Sequence, residues 1–398
     1  MKRVYITCVL VCLTILAAFL ICFKLINISG IKEHLTVGFI YDNDESTPYT
    51  YNFSLAKDAL EKKYGDSITI LTRSNVLDEK MEEPLRELAD AGCDIIFFNG
   101  YSDLVIKLAP EYPKIQFCQT SYTDMSDVTV PENYHTFKGE AYQGRYVSGI
   151  AAGMKIKQMI TEGIITEKEA IVGFVAAFPT SEVISGYTAF LIGVRSVVPE
   201  AVMQVYYTGT WSSYAQEKKA ADQLIKDGCV IISQHTDTIG PAIACEESAG
   251  EKPVYFVGNN QSMSEVAPGT SLVTARINWE PYVLTAVEAV RTNKKIESKL
   301  IQCHVHGNDV SAGFEQGWVA MEDLNHQVAA PGTEAAMNSA IDQFKRGTVI
   351  YAFHGELTGV DPQNPKDTID LSIGYIENEK TSYPTFHYVL KDVITIVE

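Results

Sequence analysis

Short apolar runs alternate with amphipathic stretches along the first part of the chain after its amino terminus. The apolar runs have the length of buried strands, and the stretches between them carry apolar residues at helical spacing. The predicted strands are 35–41, 68–71, 93–98 and 115–119, and the predicted helices are 49–63, 77–91 and 104–108. Alternating strands and helices indicate an α/β lobe with a parallel sheet and right-handed crossovers.

The same pattern begins again after a long predicted helix, 140–159, that is rich in glycine and alanine. VGFI at 37–40 is echoed by VGFV at 172–175, and GCDII at 92–96 is echoed by GCVII at 228–232. Both pairs have nearly the same spacing along the chain. This internal repeat predicts two Rossmann-like lobes with the same order of elements.

More strands and helices follow the second lobe, so we expect the chain to return to the first lobe. Several crossings between the lobes would form a stiff hinge around a cleft that can close on a ligand. The tail is interpreted as a lobe extension packed on the surface. The predicted division is 1–33 for a signal or membrane anchor and tether, 34–140 for lobe one with returning segments from about 297–398, and 141–296 for the crossing helix and lobe two.

The amino terminus differs from the rest of the chain. Lys2 and Arg3 precede twenty uncharged residues, 4–23. This pattern predicts an export signal or an uncleaved membrane anchor, because twenty apolar residues can span a bilayer. A lipoprotein signal with Cys22 as the lipidated residue is a third interpretation, although Ile21 stands where such signals usually carry a small residue. Each interpretation places the body of the protein outside the cytoplasm, and we expect it on the extracytoplasmic face of the cell membrane, anchored by the amino-terminal segment or by a lipid.

Composition and motifs exclude several classes of function. The formal net charge is -18 and no cluster of Lys and Arg is present, which argues against nucleic acid as a partner. Dinucleotide-binding, P-loop, serine-hydrolase and zinc-protease motifs are absent, so we expect no enzyme and no cofactor. The widely spaced cysteines form no disulfide or zinc pattern. His304 and His306 alternate on a predicted strand but lack a third ligand nearby, so no metal site is predicted.

Aromatic and amide side chains gather where the predicted strands end. Ligands of open α/β sheets bind at this place. Phe178 illustrates it, because Pro179 ends the strand before it, although a single aromatic at such a position can also be core. Flat rings here could sandwich a ligand while polar groups contact its edge. The candidate ligand-binding residues are Tyr49, Tyr51, Asn99, Tyr101, Phe178, Glu182, Trp211, Tyr214, His235, Asp237, Asn260 and Trp279.

Few of these strand-end residues are cationic. Phosphate and strongly anionic ligands are usually bound by Arg and Lys. The sequence therefore argues against a phosphorylated or strongly anionic ligand.

Several motifs together resemble a known family. They are AYQGRY at 141–146, VGF at 172–174 followed by Phe178-Pro179 and Glu182-Val183, GVRSV at 193–197, and QHTD at 234–237. From about residue 35 to 353 the chain resembles the basic membrane protein (BMP) family of substrate-binding lipoproteins of ABC transporters. The resemblance implies a type I periplasmic-binding-protein fold, a purine base or nucleoside as ligand, and an ABC permease as partner. It also implies that Phe178 and Trp279 line the ligand ring while Asp237 and His235 contact its polar edges.

The sequence departs from the family pattern at 258–262. GNNQS stands there, where the family often has carboxylates that hold ribose hydroxyls. This difference favours a free base or another small flat ligand over a nucleoside. Tyr49 and Phe53 also replace the Trp and His of members with an adenine-like preference. The expected function is an extracytoplasmic solute-binding protein of an ABC importer, and the alternative is a membrane-anchored ligand-sensing receptor of the same fold.

Overall fold

The computed structural model describes residues 30–248, 252–347 and 351–397. Cys22 and the predicted anchor lie outside these residues. Within the described ranges, no helix is both long enough and apolar enough to cross a bilayer.

The described residues form strands β1 to β17 and helices α1 to α9. The strands are Leu35–Ile40, Ile68–Arg73, Ile95–Phe98, Gln116–Thr120, Tyr134–Gly139, Ile171–Ala176, Val202–Tyr207, Ile231–His235, Tyr255–Asn259, Ser271–Ile277, His304–His306, Asp309–Ala312, Val319–Glu322, Thr358–Val360, Thr368–Asp370, Val389–Leu390 and Ile394–Val397. The helices are Pro48–Tyr64, Glu82–Asp90, Asp103–Leu108, Ala141–Thr161, Ser181–Arg195, Tyr214–Lys226, Gly240–Glu247, Glu280–Arg291 and Thr333–Lys345.

Two seven-stranded sheets carry the two lobes. The first has the order β11-β12-β5-β4-β3-β1-β2, and the second has the order β13-β10-β9-β8-β6-β7-β17. Only the outer pairs β11–β12 and β10–β13 are antiparallel in these sheets, and the remaining pairs are parallel. The central strands are almost entirely buried and apolar, as parallel strands covered on both faces are. The predicted α/β fold with two Rossmann-like lobes is confirmed.

The internal repeat of the sequence is also present in the sheets. The order β5-β4-β3-β1-β2 of the first sheet corresponds to β10-β9-β8-β6-β7 of the second. A Cβ added to Gly38 would lie 3.0 Å from Leu88 Cδ1, and a Cβ added to Gly173 would lie 3.1 Å from Leu224 Cβ. Each glycine thus lets a helix approach the central strand closely, which explains why VGF occurs in both lobes.

The lobes are joined where three chain segments cross side by side. The first leads from β5 into α4, and the main-chain N–H of Glu140 donates to the carbonyl of Ala312 over 2.9 Å. The second leads from β10 into α8, and the N–H of Asn278 donates to the carbonyl of Trp318 over 2.7 Å. The third leads from β12 to β13. These hydrogen bonds tie the crossings to one another at the base of the cleft.

Three elements lie in a different lobe from the one that the predicted division gives them. β13 and β17 were expected in the first lobe, but both pair with strands of the second sheet. α8 was expected in the second lobe, but it packs in the core of the first, where Tyr282 stacks on Phe137 with ring centroids 3.8 Å apart. The short turn Phe314–Gln316 separates β12 of the first sheet from β13 of the second.

Residues 371–390, here called the C-terminal strap, connect the two lobes. On the first lobe, Asp309 accepts hydrogen bonds from Thr381 Oγ1 (3.0 Å) and from the N–H of Ser382 (2.7 Å). On the second, Glu377 of the strap accepts a hydrogen bond from Ser185 Oγ of α5 (3.3 Å). The expectation of a tail packed on the surface is therefore wrong for this segment, because its polar groups are buried against both lobes.

Candidate functional site

Tyr49 and Trp279 are the two aromatic candidates that the first lobe brings together. They pack edge to face, with ring centroids 6.1 Å apart. Tyr49 lies in the first turn of α1, where its hydroxyl donates to the carbonyl of Asn99 over 2.8 Å. Burial raises the pKa of Tyr49, and the carboxylates of Asp42, Glu182 and Asp237 raise it further. Since Glu182 and Asp237 belong to the second lobe, Tyr49 faces them across the cleft.

Trp279 is more deeply placed than a cleft wall. It is 1 % exposed, and its ring also packs against Phe53 and Phe137 of the first-lobe core, at 5.2 and 5.7 Å. Its indole N–H has no acceptor among the described residues. Trp279 therefore packs between Tyr49 and the first-lobe core, and its indole N–H remains without an acceptor in the described part of the chain.

Asn99 holds the first-lobe face together from within. Its Oδ1 accepts from the N–H of Asp42 over 2.9 Å, and its Nδ2 donates to Thr50 Oγ1 over 3.3 Å. Its carbonyl accepts from Thr120 Oγ1 over 2.8 Å as well as from Tyr49. These hydrogen bonds hold the loop after β1, so the polar groups of Asn99 have a structural role.

Phe178, Trp211 and His235 form one aromatic cluster on the second lobe. The ring centroids of Phe178 and Trp211 are 5.5 Å apart, and those of Trp211 and His235 are 6.2 Å apart. The three residues follow β6, follow β7 and end β8, so neighbouring strand ends bring them together. The carbonyl of Trp211 accepts from the N–H of Asp237 over 2.8 Å, which links two of these loops.

An ion pair crosses the cleft between Glu182 and Lys138. Glu182 lies in the first turn of α5, where the helix dipole favours a negative charge. Lys138 lies on β5 of the first lobe, and its Nζ is 2.8 Å from Glu182 Oε1. His235 Nε2 is 4.0 Å from the same oxygen. Glu182 therefore joins the two lobes and also touches the aromatic cluster.

Burial and neighbouring charges shift the pKa values of three side chains at the base of the second lobe. Burial lowers the pKa of His235 well below its usual value, with Arg145 and Lys138 adding to the shift, so the imidazole is neutral. Burial and nearby carboxylates raise the pKa of Asp237. Burial lowers the pKa of Arg145 to about 9, so the guanidinium keeps its charge at neutral pH.

Arg145 and Lys138 were missed as site residues, and they correct the expectation of few cations at the cleft. Arg145 is the one charged residue between Ala141 and Met154, and that isolation in a helical run was the available signal. Lys138 lies on β5, a strand that the apolar pattern did not reveal because its letters are YHTFKG. The first-lobe edge of the cleft also receives Tyr383 of the C-terminal strap, whose ring centroid is 5.4 Å from Lys138 Nζ.

The remaining candidates are not brought into this cluster by any contact among the described residues. Tyr51 and Tyr214 are 40 % and 45 % exposed. Tyr101 is 56 % exposed and stacks on Tyr122. Asn260 is buried with a positive φ of 63°, and its N–H donates to the carbonyl of Ala275. Their roles in binding stay predictions.

The histidines of β11 are engaged in hydrogen bonds. His304 Nδ1 lies 2.5 Å from Glu140 Oε1, and this contact raises the pKa of His304. His306 Nε2 lies 3.3 Å from the carbonyl oxygen of Asn378 in the strap. Elsewhere in the described chain, one group of side chains of the kinds that bind metals has its ligand atoms within 4.8 Å of one another. It consists of Asp361, Asp367 and His387, beside the small three-stranded sheet β15-β14-β16.

A family model matches most of the chain. Described as "ABC transporter substrate-binding protein PnrA-like", the Bmp model matches residues 35–351. A purine-binding protein of Brucella abortus (strain 2308) is 29% identical over 263 residues, which cover 65% of this chain and 69% of that protein. A protein of Haloferax volcanii named as a candidate ABC transporter glucose-binding protein, TsgA13, is 29% identical over 237 residues, or 59% of this chain and 55% of that protein.

Solved structures of the same architecture include transport and regulatory proteins. An ABC transporter solute-binding protein of Aeropyrum pernix K1 has a TM-score of 0.64 and 17% identity, covering 83% of this chain and 95% of that one. A transcriptional activator of the comK gene from Bacillus halodurans has a TM-score of 0.60 and 16% identity, covering 79% and 99%. At these identities the likeness concerns the fold alone.

Proposed function

Because the chain belongs to the Bmp family of PnrA-like ABC transporter substrate-binding proteins, we propose that it captures a purine base or nucleoside in the cleft between its lobes. The bound protein then delivers this ligand to an ABC permease on the outer face of the membrane. The observation that carries the proposal is the cluster of Phe178, Trp211 and His235, which faces Tyr49 across the cleft.

The chemistry of this cluster suits a flat heteroaromatic ring. Aromatic side chains bind such rings by offset stacking or edge contact. Donors and acceptors lie near them, namely neutral His235, the carboxyl groups of Asp237 and Glu182, and the guanidinium of Arg145. A ligand with ring nitrogens and exocyclic polar groups would satisfy these groups, whereas a purely apolar ligand would leave them unpaired.

Lobe closure completes the site. Lys138 belongs to the first lobe and Glu182 to the second, so their ion pair exists only when the lobes approach. Ligand held between Tyr49 and Phe178 would stabilise the same closed arrangement. A permease can then distinguish loaded protein from empty protein by shape, and no covalent step is needed.

Thermal unfolding with a ligand panel tests the ligand class. The protein is first denatured and refolded to remove any ligand carried through purification. Purine bases and nucleosides are then added, with glucose as the competing class because of the relative named for it. We expect at least one purine to raise the melting temperature, since binding to the folded state alone stabilises it by mass action. A shift with glucose and none with any purine contradicts the proposal.

A ligand-sensing receptor is the second proposal, and the uncharged run 4–23 supports it. An uncleaved anchor at this position would keep the binding lobes on a membrane partner. Mass spectrometry of the amino terminus separates the two: a mature chain that starts at a lipidated Cys22 favours the transporter component, and an intact amino-terminal segment favours the receptor.

A further inference from the structure

Several of the unsatisfied buried polar atoms of the described residues lie at the base of the second lobe. Both terminal nitrogens of Arg145 and Nδ1 of His235 are buried without a hydrogen-bond partner among the described residues. Arg145 is 1 % exposed. Buried donors nearly always have partners, and an unpaired buried guanidinium is costly. The pattern therefore indicates that an acceptor outside the protein completes this site.

Arg145 and His235 both lie beside Gly186 of α5. A Cβ added to Gly186 of α5 would lie 3.1 Å from His235 Nδ1 and 3.8 Å from Arg145 Nε. Gly186 therefore packs closely against His235 and beside Arg145, so both groups lie next to the same turn of α5. The guanidinium carbon is 5.7 Å from the ring centroid of Phe174, which fixes the other side of Arg145 against β6.

We propose that Arg145 is a specificity-determining residue, which selects a 6-oxopurine, such as hypoxanthine or guanine, over adenine. This inference rests on the proposed function. Arginine presents two parallel N–H groups that match a pair of adjacent acceptors. A 6-oxopurine offers such a pair, O6 and N7, whereas adenine offers N7 beside an amino donor. The adenine amino group would meet a donor and leave one guanidinium N–H unpaired.

The acidic side chains fit the opposite edge of the same ligand. Arg145 feels the charges of Glu182 and Asp237, so both carboxylates are near it. No hydrogen bond to the Asp237 side chain is found among the described residues, and carboxylates accept N–H donors of the kind that N1–H of a 6-oxopurine supplies. A strongly anionic ligand would instead face Asp42, Glu182 and Asp237, three acidic groups that surround the site.

Calorimetric titration of the stripped, refolded protein at neutral pH tests the inference. Hypoxanthine and guanine are expected to bind about tenfold more tightly than adenine, in line with the discrimination of a bidentate arginine. 7-Deazaguanine, which lacks the N7 acceptor, is expected to bind several-fold more weakly than guanine. Equal or tighter binding of adenine overturns the inference.

The variant Arg145→Gln provides the decisive comparison. Glutamine can donate to N7 and accept from the adenine amino group, so the preference is expected to vanish or reverse. Arg195→Gln is the matched control, because Arg195 is a half-buried arginine on α5 that donates to the carbonyl of Ala201. It is expected to keep the wild-type ratio. An unchanged ratio in folded Arg145→Gln overturns the inference.

Failure of the Arg145 assignment can be distinguished from failure of the proposed function. If Arg145→Gln does not fold, the wild-type ratios and the 7-deaza analogue still decide the matter. If no purine binds at all, the proposed function fails. If purines bind without preference for the 6-oxo group, only the assignment of Arg145 fails.

Discussion

The two faces of the cleft are built on the same repeated scaffold, but their polar groups are used differently. On the first lobe, the side chain of Asn99 bonds to the loop after β1, and Asp42 Oδ1 accepts from the N–H of Asn43 over 2.8 Å. On the second lobe, Arg145 and His235 keep unpaired nitrogens. Asn99 and Asp42 therefore use their polar groups to hold their own loop, whereas Arg145 and His235 leave nitrogens unpaired; within the described chain the indole N–H of Trp279 is also unpaired. From this difference we expect substitutions of the first-lobe polar groups to change stability and substitutions of the second-lobe polar groups to change binding.

The largest expected effect is on stability, at Asp309. This side chain is 6 % exposed and accepts from Thr136 Oγ1 (2.6 Å), Thr381 Oγ1 and the N–H of Ser382. Asp309→Ala leaves these donors unpaired and frees the strap. We expect the free energy of unfolding to fall by about 3–5 kcal/mol, measured by chemical denaturation. Asp90→Ala, at an exposed position, should change it by less than about 0.5 kcal/mol. A loss below about 1 kcal/mol at Asp309 would contradict a structural role for the first-lobe polar groups.

The next effect concerns the second-lobe aromatic cluster. Phe178→Ala should weaken purine binding by about 1–3 kcal/mol, the scale of base–aromatic stacking. Tyr51→Ala is the matched first-lobe change, because Tyr51 follows β1 but is 40 % exposed. Titration of both variants decides the comparison: similar losses at the two positions would show that both faces bind the ring.

A smaller effect is expected for Asp237→Asn. This substitution should weaken ligand binding but should not reduce the stability of the ligand-free protein at high pH. Asp237→Asn should weaken purine binding by about tenfold, because a carboxyl group is replaced by an amide that presents an N–H donor in place of one oxygen. The raised pKa of Asp237 means that folding favours its protonated form. That stabilisation is full below the unfolded pKa of about 4 and is lost as pH rises through the raised folded value.

The pH dependence of the unfolding free energy tests this expected contribution of Asp237 to stability. Stability of the ligand-free wild type should fall with rising pH above about 4, and Asp237→Asn should lack this component because the amide does not titrate. At pH 8 the variant should then be at least as stable as the wild type. Asp222→Asn, a half-exposed aspartate paired with Lys218, serves as control. A variant less stable than wild type at every pH would refute the assignment.

The smallest effect tests the first lobe again. Thr120 Oγ1 donates to the carbonyl of Asn99, and Thr120 is 3 % exposed. Thr120→Val should cost about 1 kcal/mol of unfolding free energy, the value of one hydrogen bond, and leave purine affinity within about twofold. Thr69→Val, exposed in the same sheet, should cost less. A tenfold loss of affinity at Thr120 would mean that this face also determines binding.

The aromatic cluster could be predicted from the sequence because the ends of apolar strands are marked by local sequence signals. Phe178 and His235 follow or end apolar strands, and the parallel order of β6 and β8 brings them together. The same reasoning named Tyr101 and Tyr214, which are exposed and lie outside this cluster, so their roles in binding stay predictions. The repeat of VGF located both lobes because it reflects tight packing of a helix on a central strand.

Arg145 and the strap could not be located in this way. A single arginine in a helix is normally solvated, and only the packing of α4 against α5 and β6 determines that this one is buried. The strap depends on contacts between residues far apart in sequence, such as Asp309 with Ser382, which no local pattern encodes.

The position of β17 affects the order in which the protein can fold during synthesis. This strand, which ends at Val397, forms the outer edge of the second sheet beside β7. The first sheet also waits for β12, which pairs with β5 from a distant part of the sequence. Every strand of the first sheet lies at or before residue 312, whereas the second sheet also needs residues 394–397, and distant pairings form slowly. The first sheet can therefore be completed while the second still lacks its edge strand, and we expect the second lobe to reach its native structure later.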